Sequence, residues 1–103
     1  MAGPAEPRPP RRVRLEITGV VQGVGFRWFV REKARRWGVD GWVRNAASGV
    51  VELAARGTAE SVSGLVREVW RGPDGARVDA VRELPSDDAE EFPRPFEIRR
   101  HNG

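Results

Sequence analysis

Residues 22–27 read QGVGFR and combine two glycines with an arginine, where an alternating stretch gives way to an amphipathic one. Gly23 and Gly25 can adopt positive φ at little steric cost, so successive main-chain N–H groups can turn toward one point and bind an anion. A helix that begins near Phe26 adds unpaired N-terminal N–H groups and the positive end of its dipole. Arg27 adds a planar guanidinium that matches phosphate oxygens. Together these features predict an anion site suited to phosphate.

The same stretch also has a simpler interpretation. A positive charge in the first turn of a helix opposes the helix dipole by roughly 0.3–1 kcal/mol, a cost that a bound anion would reverse. A glycine-rich turn beside a surface arginine would produce the same pattern without any ligand. The motif alone leaves both interpretations open.

A second group of polar residues lies in GWVRN, at positions 41–45. The Asn45 carboxamide can both donate and accept hydrogen bonds, so it is suited to holding a water molecule. An asparagine before a turn also commonly satisfies main-chain groups. We expect Trp42 to pack on the sheet and Arg44 to lie on a solvated strand face.

The composition excludes several kinds of chemistry. The sequence has 103 residues, of which 39% are hydrophobic and 32% are charged, as in an ordinary globular domain. It contains no cysteine, which excludes disulfides, thiolate nucleophiles and thiolate metal sites. The one histidine, His101, lies close to the end of the sequence. We therefore expect no metal site, no cofactor and no histidine-based triad.

The net charge of +3 is small, and the N-terminal Arg8, Arg11 and Arg12 supply part of it. A nucleic-acid surface needs a dense basic face, so no nucleic-acid partner is expected, whereas a small anionic substrate fits this charge. No apolar run reaches membrane-spanning length, and an N-terminal apolar signal is lacking. We expect a cytoplasmic monomer without a membrane partner.

The hydrophobic period predicts the architecture. Residues 1–12 are rich in proline and arginine and are predicted to form a flexible tail, followed by one domain over 13–103. The hydrophobic period is about 2 in some stretches and about 3.6 in others. It predicts helices at 26–37 and 62–71, and strands at 13–18, 39–45, 50–56, 76–84 and 96–100. The order is that of a ferredoxin-like α+β split β-α-β sandwich, with an antiparallel sheet of four to five strands and two helices on one face.

Taken together, the segments GVVQGVGFR and GWVRNAASGVVE resemble the acylphosphatase family. The resemblance covers roughly residues 13–100 and includes Gly72-Pro73 and the closing FEI at 96–98. It implies that the chain hydrolyses small acyl phosphates to a carboxylate and inorganic phosphate, without a metal or a cofactor.

The resemblance also implies roles for individual residues. It implies that Asn45 positions the attacking water and that Arg27 binds the phosphoryl group together with the loop amides. These amides belong to Gln22, Gly23, Val24, Gly25 and Phe26. Two positions depart from the family pattern. Val20 stands where the family often has a basic residue, which implies altered phosphate affinity or substrate preference, and Ser48 replaces a frequent aspartate in the hairpin turn.

So few residues suffice for this reaction because of its chemistry. The leaving group is a carboxylate whose conjugate acid has a pKa of about 4, so no general acid is needed at neutral pH. Because the transition state of phosphoryl transfer is loose, catalysis depends mainly on positioning the reactants and stabilising the developing charge. We expect the acidic run of Asp87, Asp88, Glu90 and Glu91 to form a solvated loop instead of a catalytic site.

Two alternatives remain open from the sequence. The first is a non-catalytic RNA-binding module on the same fold, which would present aromatic side chains on the open sheet face, where Trp42 is a candidate. The second is a domain of a larger maturation enzyme that handles carbamoyl phosphate, as members of the resembled family also occur in that context.

Overall fold

The computed structural model describes residues 9–86 and 88–100, which form five strands and two helices in the order β-α-β-β-α-β-β. The elements are β1 (Arg11–Val20), α1 (Phe26–Trp37), β2 (Asp40–Asn45), β3 (Val51–Gly57), α2 (Ala59–Arg71), β4 (Arg77–Leu84) and β5 (Glu97–Ile98). This order confirms the ferredoxin-like α+β arrangement. Within the described ranges, neither helix is long and apolar enough to cross a membrane.

The sheet has the strand order β4-β1-β3-β2-β5. β1 and β2 both pair antiparallel with β3, so they run in the same direction and their C-terminal ends lie at the same end of the sheet. The prediction of an antiparallel sheet is correct for four strands and wrong for β5, which pairs parallel with β2. The reason is the connection over 85–96, which carries the chain from the β4 edge to the opposite edge.

The first strand is longer than predicted. Arg11 and Arg12, which we assigned to the flexible tail, lie in β1 and pair with Gly57 and Arg56 of β3. They can do so because β3 extends far enough to provide the main-chain partners. The rest of the predicted tail, residues 1–8, lies outside the described residues, as does His101. At its other end β1 passes through an irregularity at Thr18 and Gly19 and reaches Val20.

The second helix also begins earlier than predicted, at Ala59 instead of residue 62. Thr58 caps it, since its side-chain oxygen accepts a hydrogen bond from the Ser61 N–H at 3.0 Å. Such a cap satisfies one of the donors that a helix N-terminus leaves unpaired. The helix therefore starts at its cap, three residues ahead of its apolar stripe.

Both helices pack on one face of the sheet, as predicted, and the core lies between the layers. β1 contributes Val13, Leu15 and Ile17 to this core, and α1 contributes Phe26 and Val30, all of them almost fully buried. The alternation of buried residues along β1 places these side chains on the helix face. The core thus anchors β1 and the start of α1, the two elements on either side of the glycine-rich loop.

The other face of the sheet is covered by the segment that connects β4 to β5. Trp42 is only 2% exposed, and its Nε1 donates to Glu90 Oε2 at 3.2 Å. Arg14 donates to the other oxygen of Glu90 at 3.5 Å, and the guanidinium groups of Arg12 and Arg56 lie over the Phe92 ring. The Glu90 side chain is only 11% exposed. The prediction of a solvated acidic loop is therefore wrong for Glu90.

The same segment is also tied to the start of β2. Arg94 forms an ion pair with Asp40 at 3.0 Å, and the Gly41 N–H donates to the Pro93 oxygen at 2.9 Å. The hydrogen bond to the Asp40 carboxylate, together with its charge, raises the pKa of Arg94 above the ordinary value of an arginine. These contacts hold the connection against the sheet near its β5 edge.

Candidate active site

The loop between β1 and α1 has the backbone geometry of an anion site. Gly23 and Gly25 have φ of 77° and 75°, in the left-handed region that favours glycine. Gly25 is the N-cap of α1 and makes no side-chain capping bond, and the first turn contains no acidic residue. The first N–H groups of α1 therefore have no capping side chain at Gly25 and no carboxylate in their own turn. Such a helix start favours a bound anion.

Arg27 lies in the first turn of this helix and is half-buried. Its neighbour Phe26 is 1% exposed and packs in the core, so the start of α1 is anchored beside the loop. Within the described residues Arg27 forms no ion pair, although many other arginines do. Its guanidinium is thus available for an external anion.

Asn45 ends β2 and lies opposite Val51 of β3. Side chains alternate along a strand, so Asn45 shares the helix face with the buried Val43, while Arg44 faces the other side and pairs with Glu52. The Asn45 Oδ1 atom is buried and accepts no hydrogen bond from any described residue. A buried acceptor without a partner is costly, so this oxygen is suited to an external donor such as water.

The topology brings the loop and Asn45 to one end of the molecule. The loop follows the end of β1, Asn45 ends β2, and these two strands run in the same direction. A direct contact joins the two segments: Gln22 Nε2 donates to the main-chain oxygens of Ala46 and Val50, at 3.0 and 2.8 Å. The residues that the sequence motifs singled out are thus neighbours in the fold.

The Gln22 side chain is the feature that the sequence interpretation missed. We assigned only the Gln22 main-chain amide to phosphate, yet the side chain makes the bonds that join the loop to the 46–50 turn. These bonds span 24 and 28 residues along the chain, so no local pattern could indicate them. The one available signal was a long carboxamide inside a glycine-rich loop, which is suited to satisfying distant carbonyls.

The remaining loop residues differ in their exposure to solvent. Gly23 and Gly25 are exposed, and Val24 is partly buried against the core. Val20 and Ser48, the two departures from the family pattern, are both exposed, with Val20 at 45%. Val20 immediately precedes the loop and Ser48 lies in the turn after Asn45, so both lie at the edge of the candidate site.

Trp42, the aromatic residue proposed for RNA stacking, is not exposed on the sheet in the part of the chain that the structure describes. Trp42, the candidate for base stacking, is buried beneath Glu90, and Arg14, Arg44 and Arg99 surround its ring. A base cannot stack on a ring that is already covered. This observation removes the argument for an RNA-binding module.

Comparison with known proteins gives a consistent result. Residues 13–98 match the model of the acylphosphatase family. The chain is 48% identical over 90 residues to an acylphosphatase from Salinibacter ruber, an alignment that covers 87% of this chain and 94% of the relative.

Solved structures agree with this result. An acylphosphatase from Coxiella burnetii has a TM-score of 0.73 and 35% identity, and the match covers 88% of this chain and 94% of that one. A full-length HypF in a phosphate- and nucleotide-bound form has a TM-score of 0.70 and 28% identity, and the match covers 95% of this chain but 13% of the HypF chain. The same fold therefore also occurs as a small part of a much longer protein.

Proposed function

The chain belongs to the acylphosphatase family, whose activity is the hydrolysis of acyl phosphates, and we propose that it performs this reaction with a phosphate cradle formed by residues 22–27 and a water held by Asn45. The observation that carries the proposal is that a helix start without a side-chain cap lies at the same end of the fold as Arg27 and the Asn45 Oδ1 atom, neither of which has an ion-pair or hydrogen-bond partner among residues 9–86 and 88–100. Each favours a ligand on electrostatic or hydrogen-bonding grounds.

The cradle binds the phosphoryl group through main-chain donors and one guanidinium. The amides of Gln22, Gly23, Val24, Gly25 and Phe26 turn toward the phosphoryl oxygens, and the Arg27 guanidinium donates to two of them. These donors stabilise the charge that is spread over the equatorial oxygens in the loose transition state. Because the donors are fixed by the backbone, little reorganisation is needed during the reaction.

Asn45 supplies the second part of the mechanism. Its Oδ1 accepts a hydrogen bond from a water molecule and holds it in line with the bond that breaks between phosphorus and the carboxyl oxygen. The carboxylate leaves without protonation, since the pKa of its conjugate acid is about 4. A phosphoryl oxygen of the substrate accepts the proton of the attacking water. The products are a carboxylate and inorganic phosphate.

We also propose that the enzyme works as a monomer. The loop, Arg27 and Asn45 all belong to one chain, so the site needs no second copy. Size-exclusion chromatography with light scattering tests this proposal, and a stable dimer at assay concentration would refute it. The cytoplasmic location stays a prediction.

The proposed function is tested by phosphate release from benzoyl phosphate in the presence of excess chelator. We expect Arg27→Ala to lower kcat/KM about a hundredfold to a thousandfold, since it removes a charged donor from the transition state. Asn45→Ala should lower mainly kcat, because it removes the water position and leaves the cradle intact. Arg36→Ala is the matched control, an exposed arginine in the last turn of the same helix. Full activity in both site variants would refute the assignment.

A further inference from the structure

The Gln22 carboxamide cannot bind the phosphoryl group with its N–H donors. Its Nε2 has only two hydrogens, and both are used, in bonds to the Ala46 oxygen at 3.0 Å and the Val50 oxygen at 2.8 Å. The function of this side chain must therefore lie in the two segments that it joins.

The two accepting oxygens stand at the two ends of the turn that connects β2 to β3. The Ala46 N–H also donates to the Val50 oxygen at 2.9 Å, so this turn is closed by its own main chain. Ala46 directly follows Asn45, and Val50 directly precedes Val51, the cross-strand partner of Asn45. Gln22 is thus bonded to the residues that are adjacent in sequence to Asn45 and to its cross-strand partner, Val51.

Few other side-chain contacts could fix the distance between the loop and Asn45. The Asn45 Oδ1 atom has no partner in the described ranges, and Arg27 forms no ion pair there. The loop itself is flexible in principle, because two of its residues are glycines in the left-handed region. The Gln22 bonds join the loop directly to the turn and restrain the separation between them.

We propose that Gln22 is a positioning residue that sets the distance between the phosphorus atom in the cradle and the water held by Asn45. The inference rests on the proposed function of the cradle and of Asn45. In-line attack requires the water and phosphorus to lie about 3–3.5 Å apart, and a misplacement of about 1 Å can lower the rate about a hundredfold. Gln22 therefore acts on the rate of attack through Asn45, without touching the reacting atoms.

The test uses two variants of Gln22 and a matched control in the full chain. Gln22→Met keeps the length of the side chain but has no donor, and Gln22→Glu keeps its shape but presents acceptors to the two carbonyls. Arg35→Met is the control, because Arg35 makes a similar tie to the Phe96 oxygen, at 3.1 and 2.9 Å, near the other end of α1. Circular dichroism and urea unfolding verify that each variant is folded at the assay temperature.

We expect Gln22→Met and Gln22→Glu to lower kcat for benzoyl phosphate by about 10- to 100-fold. The inhibition constant of orthophosphate should change by less than about twofold in Gln22→Met, because the cradle still binds the anion. In a chain that already carries Asn45→Ala, adding Gln22→Met should change kcat by less than about twofold, since the residue acts through Asn45. Arg35→Met should keep kcat unchanged.

Four outcomes overturn the inference, and three of them leave the proposed function in place. An unchanged kcat in the folded Gln22 variants shows that the tie does not matter for attack. A large rise in the orthophosphate inhibition constant with kcat unchanged assigns the side chain to the shape of the cradle alone. Independent effects of Gln22→Met and Asn45→Ala show that the two residues do not act together. Each of these three results refutes the inference and leaves the proposed function in place. An undiminished kcat in Asn45→Ala refutes both the role of Asn45 and the inference.

Discussion

Gly25 and Gly38 hold the two ends of α1 in nearly the same left-handed conformation, with φ of 75° and 70°. A Cβ atom at either position would meet no other atom within 4 Å, so an alanine would be strained only in its backbone, by about 1–2 kcal/mol. Only Gly25 belongs to the cradle. The pair therefore separates the stability of the helix from the shape of the anion site.

From this relationship we expect Gly25→Ala to lower kcat/KM by about tenfold or more, because a shifted loop no longer directs its amides at one point. Gly38→Ala should lose a similar free energy of unfolding and keep its activity. Urea unfolding and initial rates with benzoyl phosphate measure the two effects. Equal activity in both variants would show that the left-handed conformation at Gly25 is not needed for catalysis.

The contact between Gly64 and Trp37 predicts a loss of stability on adding one methyl group. A Cβ atom at Gly64 would lie 2.4 Å from the indole ring of Trp37. Alanine is favoured over glycine in a helix by about 1 kcal/mol, yet overpacking costs about 1–3 kcal/mol, so Gly64→Ala should be destabilising on balance or at best neutral. Adding Trp37→Leu should remove the clash and recover the benefit of alanine in a urea unfolding experiment, and a stabilising Gly64→Ala would contradict this account of the packing.

The two neighbouring acids of the β4–β5 connection should differ in their effect on stability. Glu90 is 11% exposed and bonds to Trp42 and Arg14, whereas Glu91 is 78% exposed and forms an ion pair with Arg99 on the surface. Glu90→Ala leaves partly buried donors unpaired and should cost about 1–3 kcal/mol. Glu91→Ala should cost less than about 0.5 kcal/mol. Thermal unfolding distinguishes the two, and equal losses would contradict the different environments.

The exposed Val20 at the edge of the cradle predicts a gain of phosphate affinity on adding charge. Val20→Lys places a cation directly before the loop and should lower the inhibition constant of orthophosphate about twofold to threefold at low ionic strength. Ala59→Lys adds the same charge at the start of α2, at the other end of β3, and should leave the constant unchanged. An effect that persists undiminished in 1 M salt would argue against a long-range electrostatic cause.

Much of the fold was predictable because its signals are local. The alternating residues of β1 and the helical stripe of α1 depend on neighbours within a few positions, and the turn glycines mark the changes of period. The position of Arg27 in the first turn of α1 follows from the same signals. The two motifs together indicated the family, which the family match over residues 13–98 confirms.

What the sequence could not predict depends on contacts between distant segments. The burial of Glu90 requires Arg14 and Trp42, which lie 76 and 48 residues away. The parallel pairing of β5 depends on the path of the connection across the sheet, and that path has no periodic signal. The bonds of Gln22 depend on where the 46–50 turn lies in the completed sheet. In each case tertiary contacts, and not local preference, determine the outcome.

The short length of β5 has a consequence for the supply of the nucleophile. β5 pairs with β2 only at Trp42 and Val43, and the last bond runs from the Arg99 N–H to the Val43 oxygen at 2.8 Å. Beyond it, Asn45 has no strand neighbour on that side within the part of the chain that the structure describes. Each turnover consumes one solvent molecule, which must be replenished at the same position. Because β5 ends before it reaches Asn45, we expect replacement water to approach Asn45 from this uncovered edge of β2.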